Sequence, residues 1–444
     1  MGKYKTAPIR CWDKAKELRA SVYDRVARAR DSGKMIVVGG MDNMVSLPAG
    51  FDMEYLGGEP YGASCAFAAK YDPKAVMERF EAAEAAGYPR DLCAYARLGL
   101  GSLLIGKYLF GGPYPKPAFS IQTHVCDTHG KWYQIVSEIE KIPYYSIDMV
   151  PFLWEMDNES EESKRLKTEY VKNQLLDAVE WMEKVTGKEF NDEKFINHVN
   201  WECESTSLWS QCCMLNQAIP APMDEKMMYS FYILPLLARH WKETVEFLTE
   251  LRDEIKDRVK NGIAAVENEQ VRLMHDSQPP WFKLELFRHL EKKYGAVSVG
   301  AHYSFALSAA WAYDPEKDTW LPAKPPKEAG VELKTREEAC EWYANWYLAY
   351  QTILRSLRYC GYGLNKRVFD IVKNWHINGV IIHLNRGCEG TATGQMELYR
   401  FLTERNIPCV TYEGNMADVR EYDHERTISK IETFMETLDV KKLS

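Results

Sequence analysis

The stretch Val380-Ile381-Ile382-His383-Leu384-Asn385-Arg386-Gly387-Cys388-Glu389-Gly390-Thr391-Ala392-Thr393-Gly394-Gln395 limits the fold more than any other. It opens as an apolar run of strand type and breaks into a glycine-rich turn. A helical pattern follows from Met396 to Thr403. Strand, tight turn and helix are the parts of a βα unit. Open parallel sheets collect ligands at the carboxyl ends of their strands, where such turns lie. Cys388 sits in this turn. Beside the N–H groups and positive dipole end of the following helix, a cysteine is pushed toward thiolate, the form that binds metal. The plainer reading is a small residue buried in a packed turn.

The rest of the chain repeats the pattern. A helix is expected over Trp12 to Ser32, a short buried strand over Lys34 to Gly40, and a second strand over Asp52 to Leu56. Pro73 to Ala86 reads as a helix stopped by Gly87 and Pro89. Another helix opens at Asp91-Leu92-Cys93-Ala94-Tyr95-Ala96-Arg97. Ala118 to Thr123 is a strand that leads into His124-Val125-Cys126-Asp127-Thr128-His129, followed by a helix and the strand Tyr144 to Met149. From Glu159 to about Val266 no strand pattern occurs, and long helices fill the segment. Alternation resumes at Gln270 to Met274 and continues through Ala296 to Ala301, the long aromatic helix Thr335 to Tyr359, the Cys388 unit, the strand Pro408 to Tyr412 and a last helix, Ile428 to Leu438. Such alternation predicts an α/β fold with two Rossmann-like domains, mostly parallel sheets and a helical middle. The expected boundaries are residues 1–158 for the N-terminal helix and first α/β domain, 159–266 for the helical segment and 267–444 for the second α/β domain.

Composition removes several classes. At 444 residues the chain exceeds one ordinary core. A net charge of -8 argues against a nucleic-acid binder. No apolar run approaches the roughly 20 residues of a membrane span. Met1 to Arg10 is polar and basic, without the apolar region of a secretory signal, so a cytoplasmic chain with reduced thiols is expected. Gly101-Ser102-Leu103-Leu104-Ile105-Gly106-Lys107-Tyr108 nearly matches a phosphate-binding P-loop. Tyr108 stands where Ser or Thr should be and no strand precedes it, so a helix with two packing glycines is the better reading.

The eleven cysteines form no C-x-x-C pattern. Cys93, Cys126 and Cys388 nevertheless share one context, at or just before a helix start. Two come from the first α/β domain and one from the second. If the domains face each other, three thiolates converge in the cleft, a set that suits zinc or an iron–sulfur cluster. Cys65, in the small-residue run Tyr61-Gly62-Ala63-Ser64-Cys65, is a candidate fourth ligand. His124 and His129 flank Cys126 and are candidate proton donors, or else ordinary histidines at a helix start. His302 and His383 read as buried, hydrogen-bonded histidines, and the aromatics of Trp342 to Tyr347 as core or subunit contact.

Asp91-Leu92-Cys93-Ala94-Tyr95, Cys126-Asp127 and Cys388 in its turn resemble the three cluster-cysteine motifs of the 2-hydroxyacyl-CoA dehydratase/benzoyl-CoA reductase family. The tail from Tyr412-Glu413-Gly414-Asn415-Met416-Ala417-Asp418 through Arg426-Thr427 to Phe434 resembles that family's C-terminal signature. The opening Lys5 to Lys14 and the run Gly57-Gly58-Glu59-Pro60-Tyr61-Gly62-Ala63 look most like the larger cluster-carrying subunit of ATP-dependent benzoyl-CoA reductase. The resemblance implies a [4Fe–4S] cluster held by Cys93, Cys126 and Cys388, with Cys65 open as a fourth ligand. It implies a homologous cluster-carrying partner subunit and ATP used only through separate ATP-hydrolysing iron–sulfur activator subunits. The implied chemistry is single-electron reduction of an acyl-CoA thioester: dearomatisation of benzoyl-CoA or, alternatively, radical elimination of water from a 2-hydroxyacyl-CoA. A non-catalytic electron-relay or scaffold subunit is the alternative of another class.

Overall fold

Two four-stranded parallel sheets organise the chain, and both have the same strand order. The computed structural model describes residues 2–443 except 42, 307, 352–354 and 356–360. The first sheet contains β1 (Ile36–Gly39), β2 (Glu54–Gly57), β3 (Phe119–His124) and β4 (Tyr144–Asp148), in the order β2-β1-β3-β4. The second contains β5 (Val271–Asp276), β6 (Ala296–Ser298), β7 (Gly379–Asn385) and β8 (Cys409–Gly414), in the order β6-β5-β7-β8. In each sheet the order reverses between the first and third strands of the unit. That reversal opens a crevice at the carboxyl ends, so the fold carries two such crevices.

β7 is apolar because both its faces are covered, as parallel sheets require. Val380 and Ile382 point into the large core that runs through both sheets and the helical middle. Ile381 points the other way, onto Leu286, Leu290, Ile431 and Phe434 in a second, smaller core. The alternation is the period-2 signature of a strand. Gly387 ends the strand at a place where bulk is excluded: a Cβ there would stand 2.5 Å from Asn415 Oδ1.

The helical middle runs through Glu161–Thr186, Asp192–Leu215 and Lys242–Lys260. The first two begin as their composition demands: Ser160 and Asn191 accept the first-turn N–H groups of Ser163 and Lys194. A buried ion pair attaches this segment to the first sheet. Arg239 Nε donates to Glu202 Oε1 at 2.6 Å, and its Nη1 donates to the Met41 carbonyl at 2.9 Å, in the loop after β1. Ser46 Oγ and Tyr347 Oη donate to the same Glu202 carboxylate at 2.6 and 2.7 Å. These hydrogen bonds offset the cost of taking both charges out of water. The short strand Lys5–Thr6 pairs with Ile263–Ala264 and ties the start of the chain to the end of the middle segment.

The aromatic helix is Arg336–Ala349; the end of the expected span, at 352–354 and 356–359, lies outside the described residues. Tyr343, Trp346 and Tyr347 are core residues, whereas Trp342 is only half-buried. A hairpin, Trp311–Asp314 with Thr319–Pro322, adds two strands that the sequence pattern does not announce. The near P-loop is helical only over 101–104, the end of Ala94–Leu104; its second half leaves the helix in a turn. Of its two glycines only Gly101 serves packing, since a Cβ there would overlap the Arg79 carbonyl oxygen. Gly106 has φ +67° and open space around it, so its turn and not packing calls for glycine. Gly99, just before the motif, packs on the Trp132 ring, which a Cβ would meet at 2.5 Å. Gly101→Ala should therefore force two backbones apart, costing about 1–3 kcal/mol; a thermal melt checks this, and an unchanged midpoint would contradict the packing described. Among the described residues, no helix is long and apolar enough to cross a membrane.

Candidate functional site

The crevices of the two sheets face one another and share one cavity of about 410 Å³. Met41 reaches it from beyond β1 and Glu59 from the helix Gly58–Ala68 that follows β2. Val125 to His129 arrive from the end of β3, Gln278 from the end of β5, and Cys388 to Thr393 from the end of β7. Cys93 and Tyr95 complete the wall at the start of Ala94–Leu104. The two halves are fastened at the cavity itself. Ala94 N donates to the Gly387 carbonyl at 2.9 Å, which sets the Cys93 and Cys388 turns back to back. The Trp281 indole N–H, from the second half, donates to Tyr95 Oη in the first.

Cys93, Cys126 and Cys388 therefore come together, although 295 residues separate the first from the last (388 − 93). Burial drives the Cys93 thiol well above its usual range, and Cys388 adds to the rise; the Ala96 and Tyr95 backbone N–H groups act the other way. Cys126 is pushed up to about 12, first by burial and then by Cys388 and Cys93, against the lowering effect of His129. Burial opposes ionisation of Cys93 and Cys126 until positive charge is placed beside them. Among the described residues, no three His, Cys, Asp or Glu side chains are close enough to grip a single metal ion. The three cysteines instead line one cavity of about 410 Å³, room for a larger group. Soft donors around such a space fit a polynuclear iron–sulfur cluster, and the helix-start N–H groups beside Cys93 and Cys126 would offset its negative sulfurs.

His129 is buried in the wall and pairs with Glu59 Oε1. Glu59, itself buried, accepts from Met41 N at 2.8 Å and Tyr133 Oη at 3.1 Å through Oε2. His124 lies at the end of β3 outside the cavity wall, half-exposed, with Nδ1 3.8 Å from Asp148 Oδ1. Cys65 is fully buried in the helix that carries Glu59, but it joins the cluster of Tyr61, Arg79 and Ser102 instead of the cavity. Burial raises its thiol to about 11. His383 is buried as expected, its Nδ1 2.7 Å from the Gln278 carbonyl. Glu59 and Gln278 are site residues that sequence reasoning misses. Glu59 lies within the Gly57 to Ala63 run that carries the family likeness, whereas Gln278 has no signal beyond its place after a strand and before Pro279-Pro280.

Fold and site together define an α/β protein of two equivalent halves with a sulfur-lined cleft at their joint. The family model described as 2-hydroxyglutaryl-CoA dehydratase, D-component, matches residues 67–438, and the chain belongs to that family. It is 25% identical to the (R)-2-hydroxyisocaproyl-CoA dehydratase alpha subunit of Clostridioides difficile, over 96% of this chain and 95% of that protein. It is 25% identical to the (R)-phenyllactyl-CoA dehydratase alpha subunit of Clostridium sporogenes, over 82% and 80%. Identity to one of the subunits of the benzoyl-CoA reductase of Thauera aromatica is 23%, over 97% and 94%. The chain is thus an enzyme-family subunit of the dehydratase/reductase group, as its cysteine motifs and tail suggest.

Proposed function

We propose that this chain is the iron–sulfur subunit of an ATP-dependent benzoyl-CoA reductase, with Cys93, Cys126 and Cys388 holding a [4Fe–4S] cluster at the joint of the two halves. The observation that carries the reading is the meeting of those three thiols, from both halves, in one cavity beside a buried acid–histidine pair. The Gly57 to Ala63 run, on which the likeness to the reductase subunit rests, is also the run that brings Glu59 to that cavity. A bound cluster would supply single electrons of low potential to the thioester. Benzoyl-CoA takes up two electrons and two protons to give a cyclic dienoyl-CoA.

The protein's own part is to exclude water, orient the acyl end and deliver protons. The cavity suits the acyl end of a thioester, so the nucleotide end of the CoA extends outside. Glu59 and His129 form the proton-holding pair. Glu59→Gln should lower turnover by about 10²–10⁴-fold while iron content stays unchanged; full turnover in this variant would remove Glu59 from the proton path. His124→Ala should change turnover little, because that ring stands outside the wall. Electrons are proposed to come from separate ATP-hydrolysing iron–sulfur activator subunits, with a homologous cluster-carrying subunit completing the enzyme.

Radical dehydration of a 2-hydroxyacyl-CoA is the second reading, favoured by the somewhat higher identity to dehydratase alpha subunits. There the electron is lent to the thioester, the 2-hydroxyl leaves with a proton as water, and the electron is returned. The complex, given reductant, ATP and each thioester in turn, separates the two. Two electrons consumed per product from benzoyl-CoA support the reductase; catalytic electron use with a 2-hydroxyacyl-CoA would overturn it in favour of the dehydratase.

A further inference from the structure

Gln278 reaches a cavity sulfur from the second sheet: its Nε2 lies 3.3 Å from Cys388 Sγ. An amide can face a sulfur with either end, so the meaning of the contact depends on which end is which. Backbone groups decide it. Asn385 Oδ1 accepts from Gly387 N and Met416 N, each at 3.0 Å, and backbone nitrogens can only donate there. The other end of Asn385 is therefore its NH₂, which donates to Gln278 Oε1 at 2.9 Å. Thr391 Oγ1 at 2.6 Å and Ser277 Oγ at 3.0 Å also donate to that oxygen. With Oε1 committed to three donors, Nε2 is the end presented to sulfur. The side chain is almost wholly buried, and the residue's own backbone carbonyl is bonded to His383, so neither the ring of donors nor the backbone beneath it is free to turn.

We propose that Gln278 is a positioning residue that fixes Cys388 Sγ and raises the reduction potential of the group this sulfur binds, with Asn385 setting its orientation from one bond further away; this rests on the reading of Cys388 as a cluster ligand. Reduction adds negative charge, part of which falls on the ligating sulfurs. A buried N–H aimed at one of them stabilises the reduced form more than the oxidised one, and low dielectric enlarges the difference. Partners of this kind also hold a ligand in its binding orientation. Asn385, Gly387 and Cys388 belong to one turn, so the strand end that supplies the ligand also supplies the group that orients its donor.

The test uses the full chain with its partner subunits, purified anaerobically, and compares wild type with Gln278→Met, Asn385→Asp and the double variant. Gln278→Met keeps the length and loses the donor. Asn385→Asp still accepts the two backbone N–H groups but offers Gln278 an acceptor, so the amide turns and presents its oxygen to the sulfur. Iron per chain and the midpoint potential, followed by paramagnetic resonance, are read for each. Iron should be retained. The redox equilibrium should move against the reduced form by about tenfold in either single variant, which is about 59 mV downward for a one-electron couple. The Asn385→Asp shift should be smaller in the Gln278→Met background than in wild type, because only the charge it adds, and not a turned amide, acts there. Unchanged potentials with iron retained, or fully additive shifts, would overturn the inference while leaving the cluster reading intact. A wild-type chain without iron would overturn both.

Discussion

Cys93→Ser, Cys126→Ser and Cys388→Ser are each expected to reduce the iron of anaerobically purified protein from about four atoms per chain to below about one. Turnover should fall by at least about a hundredfold in each variant. The reason is geometric: the three sulfurs come from three different helix starts and share one cavity, so none can replace another. Cys65→Ser is the control. Its thiol is as deeply buried, but it belongs to the Tyr61, Arg79 and Ser102 cluster and should leave iron unchanged. Elemental analysis of the four variants beside wild type checks the set. Full iron in all three site variants would end the assignment, and loss of iron only in Cys65→Ser would relocate it.

The largest expected stability effect lies at Asp418. Arg97, four residues after Cys93, is fully buried and donates to Asp418 Oδ2 at 3.2 Å. Arg420 Nε donates to Asp418 Oδ1 at 2.9 Å, and Glu84 lies 3.1 Å from Arg97. Asp418→Asn leaves the buried Arg97 guanidinium with only the partly exposed Glu84 as charge partner, for a cost of about 3 kcal/mol, the lower end for breaking a buried pair. Because Arg97 anchors the Cys93 helix and Asp418 the C-terminal tail, the loss should also loosen the cavity wall. Burial alone would raise the Asp418 carboxyl, but the Arg420 hydrogen bonds and the Arg97 charge outweigh it and hold the carboxyl below its usual range. A depressed folded value means the contribution is fully present above the ordinary Asp value of about 3.9 and is lost as pH falls through the folded one. Urea unfolding at pH 7 should therefore separate wild type from Asp418→Asn widely, and the gap should narrow in acid below about pH 4. Equal stability at pH 7 would contradict the account of this pair.

The likeness of the two halves is only partly legible in the sequence. Short βα spacing announces two parallel sheets, since apolar runs such as Val380 to Leu384 can be buried on both faces only in that setting. That both sheets have the same strand order is not readable, because pairing order leaves no periodic trace along a strand. The site follows the same division. Cys93, Cys126, Cys388 and His129 are visible because they stand at strand ends and helix starts, the places where open sheets gather chemistry. His124 shares that local context and still falls outside the wall, since it is the last residue of β3 and lies beside Asp148 at the end of the neighbouring strand β4. Cys65 sits among small residues as a ligand turn might, but that run is a buried helix packed on tyrosines. Gln278 and Asn385 are invisible for a different reason. Their role exists only in the hydrogen-bond relay that begins at two backbone N–H groups, one of them from Met416, distant in sequence.

The central claim, a catalytic cluster held by three cysteines and open to substrate, is tested most directly by Mössbauer spectroscopy of the anaerobic wild-type protein enriched in the Mössbauer-active iron isotope. The account predicts about four irons per chain, with one iron distinguishable from three thiolate-bound ones and altered when the acyl-CoA is added. Four equivalent, fully thiolate-bound irons that ignore the substrate would point to an electron relay, and a chain without iron would contradict the claim outright.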